Sequence, residues 1–117
     1  MKITTNNTVK LEKAYTELRR DGKAKKIDLN KNPVENAMGF EVELLINLDV
    51  VLTIDWTQLL SDLFQNYLEY RLIKEVVLKK LSGETEVIDV EVLQDPKKLE
   101  QLNIEKDTEL FIEYKER

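Results

Sequence analysis

Two residue types are missing altogether: the 117-residue chain has no cysteine and no histidine. Without cysteine there is no disulfide, no thiol nucleophile and no Cys-based zinc or iron–sulfur centre. Without histidine, Ser-His and Cys-His catalysis, imidazole metal ligation and a side chain that titrates near neutrality in ordinary surroundings are all excluded. Enzyme chemistry would have to rest on carboxylates, lysines or tyrosines. Glycine and proline are also scarce, at three and two, which argues against long disordered or low-complexity segments. The glycine-dependent motifs GxGxxG, GxxxxGK[ST] and GxSxG are absent, as is a DxDxDG calcium loop. No eighteen-residue run of uncharged apolar residues occurs, and the N-terminus lacks a signal peptide's apolar core and cleavage site. The expectation is a cytoplasmic protein with no membrane segment and no cofactor.

What remains is ordinary globular material, 42% hydrophobic and 35% charged, of a size that suits one domain over residues 1–117. Met1 to Asn7 carry little pattern and read as a loose N-terminal arm. From Thr8 as N-cap, Leu11, Ala14, Tyr15 and Leu18 recur at helical spacing, which predicts a short amphipathic helix stopped at Gly22. Ile27 and Leu29 alternate in a short edge strand. Phe40, Val42, Leu44 and Ile46 alternate with polar residues and predict a half-buried strand, and Val50 to Ile54 would return as the second arm of a hairpin.

The densest apolar segment is Asp55 to Gly83. Trp56, Leu59, Leu60, Leu63, Phe64, Tyr67 and Leu68 form one broad helical face over its first half. Beyond Tyr70 the helical pattern degrades, and Glu75 to Leu78 suit a strand almost as well. A continuous helix is the favoured reading of the two, with Ser82 and Gly83 closing it. Glu86 to Leu93 alternates and predicts a strand. Asp95 and Pro96 open a short helix in the favoured order, N-cap then proline, and Thr108 to Tyr114 is the last strand. The fold expected is therefore α+β: a mainly antiparallel sheet of four to five strands packed against one long central helix and a shorter N-terminal helix.

Function is less legible. The acidic groups Glu84/Glu86, Asp89/Glu91 and Glu105/Asp107/Glu109 offer the oxygen ligands that hard cations take, but strand alternation makes them first of all the wet side of a sheet. Charge is segregated along the chain. Residues 1–33 hold nine Lys/Arg against four acids, and the rest hold nine against nineteen, within an overall −5. The cluster Arg19, Arg20, Lys23, Lys25 and Lys26 sits at a helix C-terminus, where the helix dipole favours cations. Two function classes follow. The leading one is a non-enzymatic protein-interaction module, an adaptor or the structural subunit of a homo-oligomer or larger assembly. It would use the apolar surface that a helix through Tyr70, Leu72, Ile73 and Val76 leaves over. The alternative is a nucleic-acid-binding module using the basic segment 10–31, with Arg19, Arg20, Lys23, Lys25 and Lys26 on phosphates.

Overall fold

The computed structural model describes residues 1–33, 40–46, 56–102 and 104–116. In chain order these form β1 (Lys2–Thr5), α1 (Thr8–Arg20), β2 (Ile27–Pro33), β3 (Phe40–Ile46), α2 (Trp56–Asp62), β4 (Ile73–Lys79), β5 (Thr85–Ile88), α3 (Val90–Leu93), α4 (Pro96–Leu99) and β6 (Glu109–Tyr114). The architecture is α+β, with a six-stranded mixed sheet in the order β2-β3-β1-β6-β4-β5. The central pair, β1 and β6, is parallel and the other pairs are antiparallel.

One face of this sheet is the core. Ile27 of β2, Val42, Leu44 and Ile46 of β3, Ile3 of β1, Leu110, Ile112 and Tyr114 of β6, and Val76 and Leu78 of β4 are all buried. Leu11, Ala14 and Leu18 of α1 pack onto this layer along the stripe their spacing predicts, joined by Leu60, Leu63, Phe64 and Leu68. Alternation then turns the intervening strand residues to the opposite face, where no helix among the described residues lies.

Met1 to Thr5 is not a loose arm. Lys2 to Thr5 pair with Glu109 to Ile112 in parallel, and Lys2 and Ile3 pair with Leu45 and Leu44. A four-residue strand with one fully buried side chain, Ile3, has too short a pattern to stand out. Its position is fixed by hydrogen bonds to strands some forty and a hundred residues away, including those that Met1 and Ile46 exchange at 2.9 and 2.8 Å. The Asn6 side chain extends this ladder, accepting from Tyr114 N–H at 2.8 Å and donating to Tyr114 C=O at 3.2 Å. The helix cap is Asn7, one residue before Thr8, its side chain accepting from Lys10 N–H. At the other end Gly22 adopts a left-handed φ of 72°. Lys23 N–H reaches Leu18 C=O at 2.8 Å and Gly22 N–H reaches Arg19 C=O at 3.1 Å. That pair of bonds is a Schellman stop.

The long central helix does not form. After α2 the coil widens into a π-helical turn over Leu63–Tyr67, with Leu68 N–H bonded to Leu63 C=O at 3.0 Å. Glu69 then takes a left-handed φ of 48° without being glycine. A 3₁₀ turn, Tyr70–Leu72, leads into β4. The β-branched residues of β4 suit a strand, and its pairing with β6 and β5 completes the sheet. Glu86 to Leu93 is likewise divided, because strand β5 ends at Ile88 and Val90–Leu93 turns helical. The turn carries Leu93 into the core, whereas a continued edge strand would have no layer left to cover it. Asp95 and Pro96 behave as expected, the Asp95 side chain accepting from Lys97 N–H. The hairpin arm at Val50 to Ile54 and Asp55, the first residue of the apolar segment, fall outside the described residues. Among the described residues no helix is long and apolar enough to cross a membrane.

Candidate protein-interaction surfaces

Strand β4 redistributes the four residues read as a partner surface. Ile73 and Val76 are 6% and 0% exposed and belong to the core. Leu72, at 42% exposure, and Tyr70, half-buried, stay at the surface. They share a shallow hollow of about 350 Å³ with Gln65, Asn66, Glu69 and Arg71. The Arg71 guanidinium lies 5.7 Å from the Tyr70 ring centre. Glu69 closes the hollow by bonding Lys10 at 2.7 Å and Lys13 at 3.5 Å, and the Lys10 ammonium holds its carboxyl below the usual range.

A surface that sequence reasoning missed is the sheet face turned away from the helices. Val87 of β5, Val77 of β4, Phe111 of β6 and Thr4 of β1 are successive cross-strand partners, so three apolar side chains form one row across adjacent strands. Val87 is 61% exposed, and Val77 and Phe111 are half-buried. Charges rim the row and satisfy one another. Lys74 meets Glu113 at 3.5 Å, Lys2 meets Glu43 at 3.6 Å, Thr4 Oγ1 donates to Glu109 at 2.9 Å, and the Lys79 ammonium sits 5.5 Å from the Phe111 ring centre. An apolar centre carrying an aromatic residue inside a polar rim is the layout of a protein interface. The signal was present in the sequence as Phe111 and Val77 on the outward positions of their strands, but only the register brings them into line with Val87.

The basic cluster comes apart in the structure. Arg20 bonds Asp21 at 3.3 Å and Lys23 bonds Asp62 at 2.9 Å. Arg19, Lys25 and Lys26 make no ion pair with any described residue. Lys23 and Asp21 work as a clasp between α1 and the turn after α2. Tyr67 Oη donates to Asp21 at 2.6 Å, Lys23 lies 5.3 Å from the Tyr67 ring centre, and Asn66 donates to Asp62 at 2.7 Å. The phenol bond lowers the Asp21 pKa; bonding to Asp62 raises that of Lys23; and the Asp21 carboxylate raises that of Tyr67. All three shifts favour the charge states that hold these contacts together.

Arg19 and Arg20 also border a groove of about 520 Å³ between α1 and β2, completed by Tyr15, Thr16 and Leu29. Among the described residues no group of three or more Asp and Glu side chains converges as a cation would need. Asp89 has become the helix-leading residue of α3, with Glu91 in its first turn, so the two no longer alternate on one strand face. Comparison with family models, with curated proteins and with solved structures finds no match to this chain.

Proposed function

We propose that this chain is a non-enzymatic protein-interaction module, an adaptor or the structural subunit of a homo-oligomer or larger assembly, and that its docking surface is the sheet face turned away from the helices. The observation that carries the reading is the row Val87, Val77 and Phe111, three apolar side chains on adjacent strands with Val87 61% exposed. Folding gains little from an exposed valine, whereas a partner covering this row recovers about 25 cal/mol for each Å² of apolar surface it buries. The absence of histidine and cysteine supports a non-catalytic role. The nucleic-acid reading has less support, because Arg20 and Lys23 are already held by Asp21 and Asp62.

The test is sedimentation velocity on the purified chain over a wide concentration range, together with affinity recovery from its own cells, for the wild type and for Val87→Lys. Self-association or a recovered partner that Val87→Lys weakens tenfold or more is the expected result. A wild-type monomer at every concentration with no recovered partner removes the functional reading; association that ignores Val87→Lys removes the surface.

A further inference from the structure

We infer that the groove between α1 and β2 is a second binding site, and that it takes an extended acidic peptide as an added strand on the outer edge of β2. The proposal rests on the reading of the chain as a protein-interaction module but uses a different surface, so its failure and the failure of that reading are told apart by different measurements.

The backbone supplies the first argument. Among the described residues β2 is the outermost strand on its side of the sheet, and its seven residues pair with β3 alone. The hydrogen-bonding direction of each β2 residue follows from the next strands in. Met1 and Ile46 exchange both backbone bonds, so the Ile46 N–H and C=O point toward β1. In an antiparallel ladder the residue opposite, Ile27, then points its own N–H and C=O away from β3. By the two-residue period, Leu29 and Lys31 do the same. Among the described residues nothing pairs with Leu29 or Lys31 on that outer side. Unpaired groups spaced along a strand edge are a template for one more strand.

The side chains supply the second argument. Leu29 is cross-strand partner of the core residue Leu44, so it lies on the helix side, where it and Tyr15 make an apolar floor to the groove. Lys31, also on this side, is tied to Glu12 of α1 at 2.9 Å and closes one end. Arg19 and Arg20 stand at the other. Lys25 and Lys26 lie on the turn entering β2. Arg19, Lys25 and Lys26 have no acidic partner among the described residues. Residues 1–33 as a whole carry a surplus of five positive charges. An occupant that matches all of this has an extended backbone, one aliphatic or aromatic side chain for the Tyr15 and Leu29 floor, and Asp or Glu beside it.

The experiment uses the full chain and a fluorescent ten-residue peptide that alternates Asp/Glu with Val/Ile, followed by anisotropy and by amide hydrogen exchange. Saturable binding that weakens with salt, slower exchange of the Leu29 and Lys31 amides in the complex, and tenfold or greater weakening in Arg19→Glu/Lys26→Glu are expected, with Val87→Lys binding as the wild type does. The design separates the other occupants. A peptide with Lys in place of its acids binding equally well, or binding without protection of Leu29 and Lys31, overturns the proposal. So does displacement of the peptide by a single-stranded oligonucleotide at lower concentration, which would give the groove to nucleic acid. Protection of the same amides in the unliganded chain, rising with protein concentration, would give it to a second copy. Absence of binding at millimolar peptide also overturns it.

Discussion

Leu110, Ile112 and Tyr114 on β6 face the helices and are buried, while Glu109, Phe111 and Glu113, their neighbours on the same strand, are half-exposed. The two sets are interleaved one residue apart, so backbone, length and neighbours along the chain are shared, and only the face differs. On the covered face each side chain is apolar, and the one hydroxyl is bonded, Tyr114 Oη donating to Leu68 C=O at 2.7 Å. On the other face a phenylalanine stands between two glutamates whose charges are met by Thr4 and Lys74. Stability requires the first pattern. It depends much less on the second.

The comparison can be broken first on its buried side. Leu110→Ala should cost about 3 kcal/mol, the transfer of the side chain plus the cavity it leaves, read as a lower urea midpoint with an unchanged slope. A loss below ~1 kcal/mol would mean that the helices do not pack on this face as described. Tyr114→Phe should cost about 1–2 kcal/mol by leaving the buried Leu68 carbonyl unpaired.

The same tyrosine gives a pH signature. Burial raises its pKa far above the ordinary value of 10.0, so the fold favours the neutral phenol. Its contribution is complete below about pH 10, where the unfolded chain is also protonated, and is lost as the pH rises beyond that. Melting temperatures from pH 8 to pH 12 should fall steeply above about pH 10, and Tyr114→Phe should flatten the decline. Tyr67, raised by its bond to the Asp21 carboxylate, adds to it in the same direction.

On the open face the expected stability effects are smaller and the binding effects larger. Phe111→Ser should cost about 1 kcal/mol in the same urea titration, since its ring is only partly buried. Val87→Lys should change stability by less than about 0.5 kcal/mol while removing partner binding or self-association. If Val87→Lys destabilised as much as Leu110→Ala, the open face would be a covered one and the interaction reading would lose its basis.

The local patterns of the chain determined a good deal without any structure. The stripe Leu11, Ala14, Tyr15 and Leu18, the alternations in β3 and β6, the Gly22 stop and the Asp95-Pro96 helix start are each written within a few residues, because caps, turns and one-sided burial act over one or two turns of chain. The absence of cysteine and histidine fixed which chemistries the chain cannot perform. Three other features were decided only by tertiary structure. Lys2 to Thr5 became a central strand because β3 and β6 offer it two sets of backbone partners, which no property of four residues announces. Ile73 to Lys79 became β4, where helix and strand propensities are nearly balanced and the pairing offered by β6 and β5 tips the outcome. Glu69, unmarked by glycine or asparagine, took the left-handed turn between them. The candidate surfaces belong to this second group. Val87, Val77 and Phe111 align only through strand register, and the groove of Tyr15, Arg19 and Leu29 exists only where α1 lies beside β2, so neither is written in any single stretch of the chain.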